Sequence, residues 1–568
     1  RSCAASHTTR RPSEAGEATN PREIMTLNLT IEVGRLRGSR LVEDYLDNAP
    51  RLAPFFPGSP WDLEAYRRKA AEVDSRFDAA RRQAMAAAVQ PTSAAAAENL
   101  ERVVAGDGLF VTTGQQAGLF GGPLFTVYKA LTAVALARAL ERELRRPVAP
   151  LFWIASEDHD WAEVNHTRVL DPSNTLHTIT VESPETGPAV SMQHRRLGPG
   201  IEAAVERLAQ LVPKTEFSEA VVERVRAAYA PDRTVAGAFR ELITWLFEPF
   251  DLLVVEAGHR TIKELGRDIL ERELANSRQH EALVREQTDR LIAAGYHAQV
   301  AVLHDSANVF LETETGRERL VWEGDGWALK HSGRRFTEAE IRALLDAEPG
   351  KFSPNVLLRP VVESAVFPTV AYVAGPGELS YYAQVGCLFR AHGIEMPIVY
   401  PRASITLVEA KVKKVLDRFG LGLDDFRRPP HELAAELLRE ELPDAVVAAL
   451  RRLRADLGEG YAALVEAARA IDPTLKGPIQ SARNAAYVQL EEIEKKIVQH
   501  LKRQNAIGVE QLEKAAVNLF PLGQPQERVL NVVPYLARYG PALLEAVAGA
   551  IRVELGTPAP AWNGVSCG

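Results

Sequence analysis

The stretch Leu109-Phe110-Val111-Thr112-Thr113-Gly114-Gln115-Gln116-Ala117-Gly118-Leu119-Phe120-Gly121-Gly122-Pro123 sets a short β-prone apolar run against a turn holding four glycines, and an apolar helical pattern opens near Leu124. Four other runs share this grammar. They are Val148–Ala155 before Ser156-Glu157-Asp158-His159-Asp160, Leu252–Val255 before Glu256-Ala257-Gly258-His259, Thr369–Val373 before Ala374-Gly375-Pro376-Gly377-Glu378, and Pro397–Tyr400 before Pro401-Arg402. Continuous rather than alternating apolar character marks strands covered on both faces, hence a parallel sheet between layers of helices. The expected fold class is α/β with a doubly wound parallel-sheet core. Such sheets bind ligands beyond the carboxyl ends of their strands, where these polar turns would converge. Buried strands also end in turn residues for ordinary reasons, so no single turn decides function.

The composition narrows the class. The 568 residues are 46% hydrophobic and 25% charged, enough for one large core with appendages. A net charge of -8 leaves no general basic field for a phosphodiester backbone, which argues against nucleic acid as a partner. No apolar run reaches the roughly 18 residues needed to span a bilayer, so no membrane is expected. Cys3, Cys387 and Cys567 lie too far apart for a disulfide framework or a zinc ribbon, and fit a reducing cytoplasm.

The domain plan follows from texture. Residues 1–24 are polar and expected to be a disordered extension, with Met25 as the physiological start. Residues 25–430 form the core, interrupted by insertions at about 171–248 and 260–358. The second of these holds a β-rich piece at Val302–Phe336, and Pro91–Ala97 reads as a linker. From 431 to 515 apolar residues step by three or four through Leu450, Leu453, Leu457, Tyr461 and Leu464, then again through Leu490, Ile493 and Ile497. That is a helical hairpin of coiled-coil character, which either closes on itself or meets a second copy. Residues 516–568 should return to the core.

Three clusters carry possible chemistry. The glycine turn leads into a helix N-terminus, which offers free N–H groups to an anion. Lys129 is either a phosphate ligand or a surface lysine, and Gln115 and Gln116 need partners in a buried turn. Glu157, Asp158, His159 and Asp160, followed by Glu163, Asn165 and His166, form the strongest acid–base candidate, with His159 as general base. Alternatively Asp158 or Asp160 caps the next helix. The spacing of His159 and His166 matches no standard metal set, so no metal ligands are assigned. Gly377, Glu378, Tyr381 and Tyr382 place one carboxylate beside two rings, suited to a polar ligand. Arg359 and Arg402 either bind a substrate carboxylate or close ion pairs with Glu363 or Glu409. Cys387 reads as core.

Several motifs now fall into one order. They are T-G-Q-Q-A-G-L-F-G-G-P-L from Thr113 with Tyr128-Lys129, F-W-I-A-S-E-D-H-D from Phe152 with Glu163 and Asn165, Arg359-Pro360, A-G-P-G-E from Ala374, and P-R-x-S-I-T-L-V-E from Pro401. P-Q-E-R from Pro525, Asn531 and R-Y-G at Arg538–Gly540 follow. From about Leu27 to Pro541 the chain resembles the cysteine ligase family of bacillithiol biosynthesis, BshC. The resemblance implies a Rossmann-like core with two connecting insertions and an α-helical coiled-coil domain through which members form homodimers. It implies a ligase that joins the carboxyl of cysteine to the amine of glucosaminyl malate, with ATP or ADP as nucleotide.

The core of that family is reminiscent of class I aminoacyl-tRNA synthetases, whose two signature histidines are replaced here by Gln115 and Gln116, and no K-M-S-K-S loop is visible. A carboxylate must be activated before an amine attacks it, as an acyl phosphate or acyl adenylate. On this reading Gly114, Gln115, Gly118, Gly122 and Lys129 meet the nucleotide. Gln116, Asp158, His159 and Asp160 are catalytic. Glu157, Asn165, Gly377, Glu378 and Tyr382 contact substrate, and Arg359 or Arg402 holds the malate carboxylates. Two other functions compete: a nucleotide-binding scaffold of the thiol pathway, and an amide ligase acting on a different amine.

Overall fold

A computed structural model describes residues 27–182, 189–440 and 442–556. Cys3, Cys567, Met25 and the polar N-terminal stretch lie outside the described residues. All five apolar runs are strands of one sheet: β1 (Leu109–Gln115), β2 (Val148–Ile154), β3 (Leu253–Glu256), β4 (Thr369–Ala374) and β5 (Ile398–Pro401). Their order across the sheet is β5-β4-β1-β2-β3, and every pairing among them is parallel. Each residue of β2, β4 and β5 is buried, which is what a strand covered on both faces requires.

The order explains where a ligand can sit. From β1 the chain steps outward through β2 and β3, then crosses back to lay β4 on the other side of β1, in register Thr112 with Tyr372. The carboxyl ends of β1 and β4 therefore flank the topological switch point, where crossover helices diverge and leave a crevice. Helix α1 (Leu124–Leu144) follows β1 and covers the sheet, with Leu131, Leu136 and Leu140 at most 1% exposed. Each such side chain contributes about 2 kcal/mol of burial.

The expected linker at Pro91–Ala97 is instead structured. Gln90–Pro91 pairs antiparallel with β3 at the sheet edge, and Ser93 caps the helix Ala94–Ala105. A two-residue edge pairing is too short for any apolar pattern to show it.

After β3 come α2 (Arg260–Ala275) and α3 (Ser277–Ala293). A five-stranded antiparallel sheet follows, built from Ser306–Thr313, Gly316–Glu323, Gly326–Leu329, Arg335–Phe336 and Phe352–Pro354. Helix α4 (Pro376–Ala391) follows β4. The motif after β5 contributes a further strand, Ser404–Glu409, which pairs antiparallel with Leu29–Gly34. The arm is the pair α5 (Asp444–Arg469) and α6 (Lys476–Gln504), joined through Pro473–Leu475 and packed on each other.

The chain then comes back to the glycine turn. Asn531 donates through Nδ2 to the carbonyls of Phe120 and Gly122 (both 2.9 Å), and Leu124 N–H donates to Leu530 O (2.8 Å). Phe120 is held at φ 52 and Gly122 at φ +72, so the turn stores left-handed backbone that only external bonds sustain at a non-glycine residue. Asn531→Ala orphans these buried carbonyls and is expected to cost about 2–3 kcal/mol in urea unfolding, with an unchanged denaturant slope.

Candidate active site

A cavity of about 590 Å³ opens at the switch point. Its floor is the junction of the turns after β1 and β4. Lys129 of α1, 1% exposed, pairs with Glu378 of α4 (Nζ to Oε2, 2.7 Å) and also donates to the carbonyl of Gly114. Glu378 accepts Gly375 N–H (2.8 Å) on Oε2 and the Tyr372 hydroxyl (2.6 Å) on Oε1. Burial alone would raise this carboxyl; Lys129, Gly375 and Tyr372 outweigh it and hold the group below its ordinary range. Gly114 itself admits no side chain, since a Cβ there would sit 2.7 Å from the Trp153 carbonyl oxygen. Lys129 is thus committed to the protein's own carboxylate, not free for phosphates.

The acidic turn after β2 forms one wall. Gln116 donates both amide hydrogens, to Asp158 Oδ2 (2.5 Å) and to Glu163 Oε2 (2.8 Å). Asp158 Oδ1 accepts the His159 backbone N–H (2.7 Å). The Glu163 carboxyl is raised by partial burial and by the charges of Asp158 and Asp160, against the lowering effect of Gln116. Glu157 lines the cavity but closes a buried ion pair with Lys263 of α2, which also donates to Phe352 O (2.6 Å).

His159 receives a neighbour that the local sequence does not announce. Arg317, on the strand Gly316–Glu323, donates to His159 Nδ1 (3.0 Å), to Pro354 O (3.2 Å) and to Ser353 Oγ (2.8 Å). Its guanidinium lies 3.9 Å from the Phe310 ring centre. Burial and then Arg317 push the imidazole below its usual range, so it is neutral near pH 7. A guanidinium only donates, so Nδ1 must hold the lone pair and the single ring proton sits on Nε2. In this arrangement the N–H of Nε2 is the group His159 has left to donate at the cavity it lines.

The two arginines resolve in favour of ion pairs. Arg359 pairs with Glu363 (2.6 Å) and donates to the hydroxyls of Tyr381 (3.0 Å) and Tyr372 (3.3 Å). Arg402 makes a bidentate pair with Glu527 (2.7 and 2.9 Å), while Glu409 takes Arg538 instead. Both arginines line the cavity with their charges already met. Gly377 and Gln115 also line it.

Five expected residues stand elsewhere. Asp160 caps the short helix Trp161–Val164, accepting Glu163 N–H. Asn165 faces His166 (3.2 Å). Tyr382 stacks behind Tyr372 and Tyr381, with ring centres 4.9 and 5.3 Å away. The Gly118 carbonyl accepts the Tyr229 hydroxyl (3.3 Å) and that of Gly122 accepts Asn531. The N–H groups of Gly118, Gly121 and Gly122 are likewise bonded within the turn, and Leu124 N–H to Leu530 O, so this helix start has little left to offer an anion.

Sequence reasoning missed Arg317, Arg319 and Arg528. Among the described residues, no carboxylate pairs with Arg319 or Arg528, which makes them the uncommitted cations of the cavity. The signal for the first two was Arg317-Glu318-Arg319, two cations on one face of an alternating strand. A second, larger hollow of about 1220 Å³ lies between the base of the arm and the core, with Lys411, Lys414, Arg418, Lys514 and Arg538 on its walls.

Fold and cavity define a Rossmann-like α/β protein with a cavity at the sheet's switch point, completed by an inserted antiparallel sheet, and with a helical arm. Residues 25–403 match the family model of the bacillithiol biosynthesis BshC N-terminal Rossmann-like domain, and 405–554 that of the BshC C-terminal coiled-coil domain. The chain is 34% identical over 520 residues to a Salinibacter ruber protein named "Putative cysteine ligase BshC", covering 90% of this chain and 94% of that one. Proteins of the same name from Solibacter usitatus (34% over 526 residues, 91% and 96% covered) and Chlorobaculum tepidum (33% over 496 residues, 85% of each) are also similar. The chain belongs to the BshC family.

The commitments above predict two opposite phenotypes. Lys129→Met leaves the partly buried Glu378 without its cation and should cost about 1–3 kcal/mol of stability, read by chemical denaturation. Arg319→Ala should leave the unfolding midpoint nearly unchanged and raise KM for the anionic substrate about tenfold or more, read by steady-state kinetics.

Proposed function

We propose that this protein is a ligase that joins the carboxyl of cysteine to the amine of glucosaminyl malate, the last step of bacillithiol biosynthesis, in the cytoplasm. Family membership supports the reaction. The observation that carries the chemistry is the single Gln116 amide that holds Asp158 and Glu163 side by side at the chamber wall. Amide formation requires a neutral amine, and an ammonium must lose a proton to become one. Two adjacent carboxylates, one with its affinity for protons raised, provide the acceptor. His159, donating from Nε2, orients an oxygen of the substrate, and Arg319 and Arg528 hold its anionic groups.

An adenine nucleotide completes the proposal, since bound ATP supplies the leaving group that makes a carboxylate an acyl donor. Lys129 and the glycine turn do not fit its phosphates, being bonded internally; Arg319 and Arg528 do. The larger hollow supports a second placement. Lys411 and Lys414 there have no carboxylate partner among the described residues, an unpaired cation set that suits a polyanion. Nucleotide affinity that falls in Lys414→Ala and persists in Arg319→Ala assigns the nucleotide to the hollow; the reverse pattern assigns it to the chamber.

The arm supports association with a second copy. Leu453, Leu464, Val488 and Ile493 expose 46–53% of their surface along α5 and α6, more apolar area than a solvated hairpin would keep. Ile493→Asp should convert a dimer to a monomer by light scattering.

Purified protein with cysteine, glucosaminyl malate and ATP should yield the amide by mass spectrometry; folded protein that binds these compounds without turnover would be a scaffold instead. Asp158→Asn should lower kcat about 10²–10⁴-fold, while His159→Gln stays within about tenfold. The base must be ionised, so kcat falls as pH falls through the raised Glu163 titration. Glu163→Gln should remove that acid limb and lower kcat by a comparable factor.

A further inference from the structure

Three metal-ligating side chains meet in the interior, linked through Asn308 to Asn355 of the chamber wall. Glu273 is in the last turn of α2, His280 in the first turn of α3 and His392 at the C-terminal end of α4. Their side chains are 0%, 4% and 0% exposed, and their ligand atoms lie within 4.8 Å of one another. Glu273 Oε2 is 2.5 Å from His280 Nδ1 and 3.6 Å from His392 Nε2, with the two rings 4.9 Å apart. Neither ring nitrogen of His392 has a hydrogen-bond partner. A buried polar group left in this state costs about 1–3 kcal/mol, so its retention calls for a ligand.

We propose that Glu273, His280 and His392 form a structural site for one divalent transition-metal ion, zinc by its donor chemistry. Two imidazoles and one carboxylate are the borderline-soft set that zinc takes, with a water in the fourth tetrahedral position. Zinc–ligand bonds of ~2.0–2.1 Å put tetrahedral ligand atoms about 3.3–3.5 Å apart, close to the observed Glu273–His392 separation. The Glu273–His280 contact has to open by about 1 Å to admit the ion. The outer partners are in place. Asn308 donates from N (3.2 Å) and Nδ2 (2.8 Å) to Glu273 Oε1, leaving Oε2 for the metal, and Asn355 in turn holds Asn308 (2.8 Å). Arg272 is directed at the His392 backbone carbonyl (2.8 Å).

The role is a clasp. Helix α4 starts at the chamber with Glu378 and ends at His392, ~21 Å away at 1.5 Å per residue. The ion would tie that end to both insertion helices and, through Asn308, to the inserted sheet that carries Arg317.

The test uses the full chain. Metal analysis of the purified protein, and Co²⁺ added after chelation, should show about one tightly held ion per chain with the visible absorption of tetrahedral cobalt. His392→Ala and His280→Ala should lose it, Asn308→Ala should bind zinc about 10–100-fold more weakly, and exposed His304→Ala, in the separate Glu281–His304–Asp305 cluster, should keep it. Folded wild-type protein that takes up no ion from micromolar zinc overturns the proposal, as does an ion that survives His392→Ala or is lost in His304→Ala. Should the histidine variants fail to fold, X-ray absorption of the wild-type ion decides: two imidazoles support the site, and fewer overturn it.

Discussion

The ion pair between buried Lys129 and partly buried Glu378 is the constraint on which the cavity rests. It joins the helix after β1 to the helix after β4, the two crossovers that diverge at the switch point. Two charges so deep are stable only with good geometry and with their other valences met. Here they are: Gly114 O takes a lysine hydrogen, and Gly375 N–H and Tyr372 OH complete the carboxylate. Each supporting group comes from a turn or strand end whose position depends on the pair in return. The charge of the cavity floor is therefore balanced before any ligand arrives.

That balance divides the cations of the site into three kinds. Lys129, Arg359 and Arg402 hold protein carboxylates and fix architecture. Arg319 and Arg528 hold none among the described residues. Arg317 does something different, since it is buried against His159 and sets which nitrogen of the ring bears the proton. The inserted sheet thus chooses the chemistry of a residue on the turn after β2. Domain insertion here is part of the site, a means of carrying a guanidinium to an imidazole that the core could not otherwise serve.

The legible part of the fold was the part with local cause. Leu109–Thr112, Val148–Ala155 and Thr369–Val373 are unbroken apolar runs because both faces of those strands are covered, and that cause leaves its mark in a few consecutive residues. Gln116, Asp158 and Glu378 could be singled out because polar side chains beside buried strand ends need partners. Which partners was not legible. Arg402 could be matched with Glu409 by proximity in the chain, yet it meets Glu527, and Glu409 meets Arg538. The edge pairing at Gln90–Pro91 was hidden by its length, and the strand at Ser404–Glu409 by lying within a motif read for its chemistry.

By itself the amino-acid sequence determined the sheet class, the turns at its rim, the helical arm and the family to which the chain belongs, because hydrophobic periodicity and turn chemistry act over neighbouring residues. Only the tertiary structure decided which charges are spent within the protein and which remain for a ligand. Ion pairing and hydrogen bonding act over a few ångströms in space, between residues such as Arg317 and His159 that no spacing in the chain relates.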